Sequence, residues 1–419
     1  MCANGSPPPS SRKGEALSGI VANTNAGLYA IPARASLHRD DEAPDKQLAS
    51  VPARATAALI VRLGAIRRNY AKLRTLAKGA ETAGVVKANA YGLGANHCVE
   101  ALAREGCRTF FVATFAEAEV LRATSSDATI YVLDGLLPQN CALYDEFRVR
   151  PVLGSLEEVA EWSAYCRSRG RKLPAAIHLD TGMARLGLKA HEALELSQDR
   201  GALASFELSL VMTHLACGDD AESAMSDRQR IRFTQLSALF PGVPRSLANS
   251  AGIFLGPRYH FDVTRPGISL YGGNAQFNAT NPIEPVVWLF GRIAQVHWAD
   301  AGETVGYGAT HTLERRTRIA TACLGYADGF FRAFSASDAR EGPPAYIGKH
   351  RLPLLGRVSM DLITYDATDV PEGLLRRGGW VEVLGSRVTI DDLASFGGTI
   401  GYEVLTSLSH RYHRIYVDE

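Results

Sequence analysis

The amino-acid sequence predicts an α/β protein, a (β/α)8 barrel of the TIM type followed by a mainly β C-terminal domain. From about residue 55, short apolar runs alternate with helical patterns, which is typical of βαβ units around a parallel sheet. About eight such units fit into the next ~230 residues, as a closed barrel requires. Near residue 283 the pattern changes to β-rich segments interrupted by glycines. The barrel is therefore expected over residues 53–282 and the β-rich domain over residues 283–419.

The bulk composition is that of a soluble globular protein with two domains. The chain has 419 residues, of which 46% are hydrophobic and 21% charged, and its formal net charge is +1. Because there is no basic excess, neither nucleic acid nor a membrane surface is expected as a partner. The seven cysteines are scattered without metal-binding spacing. This pattern predicts neither structural disulfides nor a metal site, and it favours a cytoplasmic location.

The first 52 residues differ from the rest of the chain. "NGSPPPSSRKGE" is polar and rich in proline and serine, and "HRDDEAPDKQ" is a cluster of charges. The segment between them lacks a continuous apolar region, so a secretory signal is not expected, although a degenerate targeting sequence is an alternative. Residues 1–52 are predicted to be a disordered extension. No later run reaches the ~18 apolar residues that a membrane helix needs.

Each predicted barrel strand is an apolar run that ends near polar residues. The first is "AALIVRL", and the helix after it has an apolar face formed by Ile66, Tyr70, Leu73 and Leu76. Further strands are expected in "TAGVVKA", "TFFVAT", "TIYVLDG", "VRPVLGS", "PAAIHLD", "LSLVMTHLA", "RSLANSAGIFL" and "HFDVTRPGISLYG". The polar residues at their ends are Lys87, His178, Asp180, His214, Asn249 and Arg265. Active sites of barrels occupy this edge, so these residues are the first candidates.

The second domain is read from segments such as "EPVVWLFGRIAQVHWAD", "TRIATACLGYADGFFRA" and "GGWVEVLG". They are apolar, rich in β-formers and separated by glycine or Asp-Gly turns. One short helix is expected in "TIDDLASFG", where Thr389 is a suitable N-cap. The domain is therefore predicted to be mainly β.

The stretch "GVVKANAYGLG" ends a buried strand on Lys87. A lysine in this place is costly to desolvate unless its amine is used. Tyr91, Gly92 and Gly94 would allow the following loop to approach a flat or phosphorylated ligand closely. The stretch alone also fits a strand-end lysine whose amine reaches solvent.

"VVKANAYG" resembles the pyridoxal-phosphate lysine motif of alanine racemases, which are fold-type III pyridoxal-phosphate enzymes. The resemblance runs from about residue 55 to the C-terminus and includes "HLDTGMARLG", "THLACGD", "ANSAG", "RPGISLYG", "VGYGATH", "GYADG", "GRVSMD" and "GYEVLT". It implies an isomerase that interconverts L- and D-alanine with pyridoxal 5'-phosphate, and D-alanine biosynthesis as a peptidoglycan precursor is one role for such an enzyme. Whether the enzyme makes or degrades D-alanine is left open.

The resemblance implies a two-base mechanism. Lys87 would hold the cofactor as a Schiff base and act as a base on one face, while Tyr307 of the partner subunit would act on the other. A pyridoxal cofactor supplies the electron sink that makes the α-proton acidic. Forming a tyrosine phenolate at pH 7 costs roughly 4 kcal/mol, so His214 and Arg265 are the expected helpers of the phenol.

The same resemblance assigns the cofactor contacts. Arg265 would face the pyridine nitrogen, where a permanent cation disfavours ring protonation. Barrel-type decarboxylases carry an acidic residue in that place. The phosphate would be anchored by small residues and hydroxyls, with a further contact from an amide. This set comprises Tyr91, Asn249, Ser250, Gly267 and Tyr402, and His214 completes the cofactor-binding residues.

Substrate recognition is implied at two loops. Arg185 and the backbone of Met360 would bind the carboxylate, and Asp361 would orient the second loop. Tyr326 and Tyr402 would narrow the passage to favour a methyl-sized side chain. Further residues along this passage are expected to be Asp219, Arg357 and Ile400.

Two positions depart from the pattern of many alanine racemases. His178 stands where those enzymes carry a carbamylated lysine that holds the carboxylate-binding arginine, so Arg185 must be oriented by other means. Ser359 stands where a cysteine is common. The first departure bears on substrate affinity more than on reaction type.

The positions of Tyr307 and Met360 in the β-rich domain imply a homodimer with composite sites. The nearest alternative function is a serine, lysine or broader-specificity racemase of the same fold. A barrel-type amino-acid decarboxylase and a non-catalytic pyridoxal-phosphate carrier are further alternatives. The decarboxylase would need an acidic partner for the ring nitrogen, and the carrier would end after the barrel.

Overall fold

A computed structural model describes residues 45–277 and 279–419 of the chain. Residues 1–44, most of the predicted N-terminal extension, lie outside this description. Within the described ranges, no helix has both the length and the apolar character needed to cross a membrane.

Residues 45–52 were assigned to the disordered extension, but they are packed against the fold. They begin with a short helix, α1 (Asp45–Ala49). Leu48 and Val51 are each 7% exposed and share one apolar cluster with Ile60 and Phe290. The packed part of the chain therefore starts before the predicted boundary at residue 53.

Twenty strands are present in the described part of the chain, most of them short. In chain order they are β1 (Ala57–Arg62), β2 (Glu81–Thr82), β3 (Gly84–Val85), β4 (Thr109–Val112), β5 (Thr129–Val132), β6 (Arg150–Leu153), β7 (Pro174–His178), β8 (Glu207–Met212), β9 (Arg245–Ser246), β10 (Val263–Thr264), β11 (Val287–Ala299), β12 (Thr304–Val305), β13 (His311–Thr312), β14 (Thr317–Ala322), β15 (Ala345–Ile347), β16 (His350–Leu352), β17 (Leu354–Leu355), β18 (Ile363–Asp366), β19 (Trp380–Leu384) and β20 (His413–Val417).

The helices cover the barrel and are sparse beyond it. After α1 they are α2 (Leu63–Leu76), α3 (Lys87–Tyr91), α4 (Ala95–Arg104), α5 (Phe115–Thr124), α6 (Cys141–Glu146), α7 (Leu156–Arg169), α8 (Ala190–Gln198), α9 (Arg200–Ser205), α10 (Ala224–Ser237), α11 (Ser250–Phe254), α12 (Ile390–Gly397) and α13 (Gly401–Thr406). Short 3-10 helices lie at Pro257–Tyr259, Ile268–Tyr271, Tyr307–Ala309, Tyr326–Asp328, Arg332–Phe334 and Glu372–Leu374.

The parallel strands form the predicted barrel. Strands β3 to β9 pair in chain order, and β10 pairs with β2. The N–H of Ala83, between β2 and β3, donates to the carbonyl of Thr264 (2.9 Å), so β2 and β3 form one broken strand. The N–H of Arg265 donates to the carbonyl of Ala248 (2.8 Å), which links β10 to the end of β9. These bonds close the ring.

The first predicted barrel strand belongs to the other domain. β1 pairs antiparallel with β11 and parallel with β20, in the sheet of the β-rich domain. The prediction that "AALIVRL" opens the barrel is therefore wrong, and β2 with β3 takes that place. All six residues of β1 are buried, and such a continuous apolar run fits a central strand of either sheet.

The β-rich domain is built around β11, as a mainly antiparallel sheet. The strand order is β16-β15-β19-β11-β14-β18-β17, to which β1 and β20 are added. The predicted short helix is α12, and Thr389 caps it by accepting the N–H of Asp392 (3.2 Å). On α2, Ile66, Tyr70 and Leu73 are buried as predicted, whereas Leu76 in the last turn is 43% exposed.

The C-terminal segment packs against the chain that follows Lys87. A Cβ on Gly92 would lie 2.6 Å from the carbonyl oxygen of Leu405 in α13, and φ at Gly92 is +83°. Only glycine fits this close approach without strain. Nη1 of Arg414 donates to the carbonyl of Gly92 (2.6 Å). The end of the β-rich domain thereby fixes one side of the barrel mouth.

Candidate active site

The carboxyl ends of the barrel strands open into a cavity of about 440 Å³. It is lined by Lys87, Ala88, Tyr91, Thr399, Ile400, Tyr402, Glu403 and Thr406. Lys87 and Tyr91 come from α3, directly after the first barrel strand, and Tyr402 comes from α13. With Ile400, which was expected along the passage, four of the residues predicted from sequence motifs therefore border one cavity.

Lys87 is followed by a left-handed turn that the sequence does not reveal. Four consecutive residues of this turn have φ between 52° and 55°, namely Ala88, Asn89, Ala90 and Tyr91. Each such non-glycine residue costs about 1–2 kcal/mol, so the surroundings must hold the turn in place. The N–H of Ala90 donates to the carbonyl of Val86 (2.8 Å), and the N–H of Gly92 donates to that of Ala88 (2.7 Å).

The amine of Lys87 lies in a cationic environment. Burial lowers its pKa, and the charges of Arg185 and Arg265 lower it further. Asp134 and Glu117 act in the opposite direction but do not outweigh the lowering. A lysine with a lowered pKa has a larger neutral fraction at pH 7, as a nucleophile or base requires.

Arg265 is buried and is held by neutral acceptors. Its Nη2 donates to the carbonyl of Thr213 (2.6 Å) and its Nη1 to Oγ of Ser246. The guanidinium carbon lies 5.8 Å from the ring centre of Phe111. None of the described carboxylates forms an ion pair with it, and burial lowers its pKa. The site thus presents a buried cation where decarboxylases of this fold would carry an acid.

Two histidines at neighbouring strand ends are neutral at pH 7. Burial lowers the pKa of His178 to about 4, and the charges of Arg265 and Arg185 contribute. Burial and the same two arginines place the pKa of His214 well below its usual value. The hydrogen bonds of Arg265 end on Ser246 and on Thr213, so within one chain Arg265 does not hydrogen-bond to His214, the other expected helper of the phenol.

Gln229 holds the backbone of His214 and was missed in the sequence. Its side chain is fully buried, and Nε2 donates to the carbonyl of His214 (2.8 Å) and to Oγ1 of Thr181 (3.1 Å). Its Oε1 accepts the N–H of Ala216 (2.8 Å). A glutamine inside a polar helix gives no sequence signal of this role.

Ser250 and Gly267 meet at the base of the cavity. Oγ of Ser250 accepts the N–H of Gly267 (2.9 Å) and that of Ser269 (3.3 Å). A Cβ on Gly267 would lie 2.2 Å from the hydroxyl oxygen of Tyr91, so glycine is required for this approach. We refer to Ser250, Gly267, Tyr91 and Tyr402 as the phosphate cup.

The two tyrosines of the phosphate cup are suited to donate hydrogen bonds to an anion. Their ring centres are 6.0 Å apart. Burial raises the pKa of Tyr402 to about 12 and raises that of Tyr91 as well, so both phenols keep their protons. Asn249 lies beside the cup, but its Oδ1 already accepts the N–H of Gly252 (2.9 Å) as a helix cap. These residues fit a phosphorylated ligand.

Arg185 is exposed on a loop that Asp180 holds in shape. Oδ1 of Asp180 accepts the N–H groups of Gly182 (2.9 Å), Met183 (3.0 Å) and Ala184 (3.1 Å). Nζ of Lys189 donates to Oδ2 of Asp180.

Burial raises the pKa of Asp180, but Lys189 and the loop N–H groups outweigh it and bring it to about 2. The carboxylate of Asp180 is therefore charged, and it closes the loop that carries Arg185. Sequence reasoning placed Asp180 at a strand end without this role.

Two predicted residues of the β-rich domain, Tyr307 and Met360, do not share the cavity of Lys87 within one chain. Tyr307 is 65% exposed and Met360 is 52% exposed, and neither lines the cavity that contains Lys87. Tyr307 begins a short 3-10 helix after Gly306. A single chain therefore brings together Lys87 and the phosphate cup but not the second predicted base.

Arg411 ties together the two loops that carry Tyr326 and Met360. Its Nη2 lies 2.8 Å from Oδ1 of Asp361, and its Nε lies 3.2 Å from Oδ1 of Asp328. The N–H of Tyr326 also donates to the carbonyl of Ser359 (3.0 Å). Asp361 thus takes part in the bracing of its loop, and Arg411 is a partner that no motif indicated.

The three residues expected along the passage are placed as follows. Ile400 lines the cavity and is 51% exposed. The charge of Asp219 acts on the phenol of Tyr402. A Cβ on Gly308 would lie 2.9 Å from Nη1 of Arg357, so this guanidinium packs beside the helix of Tyr307.

Comparison with known proteins decides the family. The profile of the alanine racemase N-terminal domain matches residues 61–275, and that of the alanine racemase C-terminal domain matches residues 286–416. The chain belongs to the alanine racemase family. The two matches divide the chain as the structure does, between the barrel and the β-rich sheet, and they confirm the resemblance read from the motifs.

Individual alanine racemases match almost the whole described fold. The enzyme of Methylobacterium nodulans is 46% identical over 362 residues, which cover 86% of this chain and 96% of the relative. The biosynthetic alanine racemase of Agrobacterium fabrum is 44% identical over 385 residues, or 90% of this chain and 98% of that one. The crystal structure of alanine racemase from Bartonella henselae with covalently bound pyridoxal phosphate is 37% identical, with a TM-score of 0.81, and covers 87% of this chain and 100% of its own.

His178, which replaces the carbamylated lysine of many alanine racemases, does not supply the negative charge of that group. The ring is 8% exposed and neutral, so it supplies no anion for Arg185. The contacts that shape the Arg185 loop come instead from Asp180 and Lys189.

Proposed function

We propose that this chain is a pyridoxal-phosphate-dependent alanine racemase that interconverts L- and D-alanine through two bases, Lys87 and the partner subunit's Tyr307. The observation that carries the proposal is the placement of Lys87. Its amine stands at the carboxyl end of a barrel strand, in a cavity that Tyr91 and Tyr402 of the phosphate cup also line, and burial together with the charges of Arg185 and Arg265 lowers its pKa. Family membership supports the same activity.

The chain's own residues fit the cofactor at three points. When bound, pyridoxal phosphate supplies an electron sink that acidifies the α-carbon of an amino acid. Nζ of Lys87 would hold it covalently, the phosphate cup would hold its phosphate, and Arg265 would face its ring nitrogen. Because Arg265 is a buried cation, it favours a pyridine ring without a proton on its nitrogen. Such a ring would take up less of the negative charge that develops at the α-carbon.

The two bases act on opposite faces of the α-carbon. Lys87 accepts or returns a proton at Nζ, for which its lowered pKa suits it. The phenol of Tyr307 does the same from the other side, and neutral His214 and charged Arg265 assist it. The exposure of Tyr307 and Met360 supports a homodimer, because an isologous dimer would carry both into the partner's barrel mouth.

The division of labour follows the two domains. Residues 63–282, together with Tyr402, bind the cofactor, and Tyr307 and Met360 of the β-rich domain complete the site of the partner. Arg185 and the backbone of Met360 bind the substrate carboxylate. Tyr326 and Tyr402 leave room for a methyl side chain, which favours alanine over larger amino acids. We further propose a role in D-alanine supply for peptidoglycan and a cytoplasmic location, which the free thiols of the described cysteines suit.

α-Proton exchange in deuterated water tests this function. The wild-type protein is expected to exchange the α-proton of both alanine enantiomers for deuterium and to racemise them. Lys87→Ala should lose visible cofactor absorbance and all turnover. Tyr307→Phe should keep the cofactor but lose about 10²–10⁴-fold in racemisation, since one acid–base group is missing. Near-normal racemisation by Tyr307→Phe would refute the two-base proposal, and equal rates on serine or lysine would refute the substrate.

A further inference from the structure

Glu117 makes one hydrogen bond that its own helix does not need. It lies in the first turn of α5, where its Oε2 accepts the N–H groups of Ala113 (2.8 Å) and Thr114 (3.4 Å). Oγ1 of Thr114 accepts the N–H of Glu117 in return, which completes a capping box. Oε1 is left over, and it accepts the N–H of Ala88 at 2.6 Å. The carboxylate thus joins α5 to the residue directly after Lys87.

The bond falls where the left-handed turn borders a cavity. Ala88 is the first of the residues with positive φ, and its side facing α5 borders a second cavity of about 430 Å³. Val120 and Leu121 line this cavity together with Ala88, Asn89 and Glu117. Side-chain packing is therefore incomplete on this side of the turn, and the bond from the N–H of Ala88 to Glu117 adds to the backbone hydrogen bonds that support it. The charge of Glu117 also acts on the amine of Lys87.

We propose that Glu117 is a positioning residue for Lys87, because its carboxylate fixes the N–H of Ala88 and with it the direction from which the lysine enters the barrel mouth. The inference rests on the proposed function, in which Lys87 is one of two bases. A shift of about 1 Å in a reacting group can cost 10²-fold, so a bond one residue from the lysine is enough to matter. Tyr307 belongs to another loop, so loss of the bond between Glu117 and Ala88 would not displace it.

The matched pair of variants is Glu117→Ala and Thr114→Ala. Both lose the capping box of α5, but Thr114→Ala leaves the carboxylate of Glu117 in reach of Ala88. Glu117→Gln keeps the side-chain size and one acceptor oxygen, and it serves if the alanine variant folds poorly. The three are compared with wild type as holoenzymes.

Two readouts separate positioning from general damage. The first is amide hydrogen exchange over residues 86–92, which does not depend on turnover, and Glu117→Ala should lose protection there while Thr114→Ala keeps it. The second is exchange of the α-proton of D- and L-alanine in deuterated water, measured separately. The enantiomer that faces Lys87 is the one that Tyr307→Phe still exchanges.

Glu117→Ala is expected to slow exchange of that enantiomer by roughly 10–10²-fold and to leave the other little changed. Glu117→Gln should lie between Glu117→Ala and wild type, and Thr114→Ala should match wild type. Equal slowing of both enantiomers, or a Gln variant no better than the Ala variant, would overturn the proposal. If Tyr307→Phe itself fails to distinguish the enantiomers, the proposed function has failed instead.

Discussion

Replacing Gly267 with alanine tests the phosphate cup by a single methyl group. The new Cβ would stand 2.2 Å from the hydroxyl oxygen of Tyr91 and 2.9 Å from its Cζ, so the phenol must retreat by about 1.2 Å to reach an ordinary contact of 3.4 Å. φ at Gly267 is −125°, outside the positive range that favours glycine. The effect is therefore a displacement of Tyr91, whose ring is already confined by Tyr271 at 4.9 Å.

The expected result is a loss of cofactor affinity. A hydrogen bond to a charged group contributes about 1.5–3 kcal/mol, so losing that of Tyr91 should raise the Kd for pyridoxal phosphate roughly 10–150-fold. The assay is titration of apoenzyme with cofactor, followed by visible absorbance. Gly373→Ala is the control, since a Cβ there meets nothing within 4 Å. In a Tyr91→Phe background the same Gly267→Ala change should cost less, because the hydrogen bond of the phenol is already lost and only the 2.9 Å contact with Cζ remains.

An unchanged Kd for Gly267→Ala would refute the placement of the phosphate. A full additional loss in the Tyr91→Phe background would show that the methyl group acts through something other than the phenol.

Three further changes test other parts of the site. Lys189→Met should free Asp180 and loosen the Arg185 loop, which raises KM for alanine more than it lowers kcat, and an unchanged KM would contradict this. Arg411→Ala should raise KM because it removes the ion pairs of Arg411 that brace the Met360 loop. Steady-state kinetics equal to those of wild type would show that these ion pairs have no role in substrate binding. His178 should make the unfolding free energy fall by about 2 kcal/mol between pH 7 and pH 5. In the folded protein the pKa of His178 is about 4, so the ring stays neutral over this range. In the unfolded chain the ring takes up a proton below its ordinary pKa of 6.5, and this stabilises the unfolded chain as the pH falls. Urea unfolding of His178→Asn should show a smaller fall, and an identical pH dependence would count against a neutral buried ring.

The sequence predicted the parts of the fold that depend on local pattern. Lys87 was placed at a strand end because an apolar run stops there, and the structure has β3 in that position. The capped helix α12 was predicted from Thr389 for the same kind of reason. β1 was assigned to the wrong sheet, since a short, fully buried strand carries no mark of the partner it pairs with.

The site was harder to predict wherever it depends on contacts across the chain. The left-handed turn after Lys87 consists of two alanines, an asparagine and a tyrosine, of which only asparagine favours positive φ, and much less than glycine does. Gln229, Arg411 and Glu117 act through bonds to residues 15 to 83 positions away, which no motif spacing encodes. Motif resemblance found the residues that would touch cofactor and substrate, and the structure adds those that hold them.

Mixing two inactive variants measures most directly whether the two bases come from different chains. Lys87→Ala and Tyr307→Phe are each expected to be almost inactive alone. After subunits are exchanged by mild unfolding and refolding, a hybrid dimer would contain one complete site, so about a quarter of wild-type activity should return. If hybrids form but no activity returns, Lys87 and Tyr307 do not serve one site from two chains.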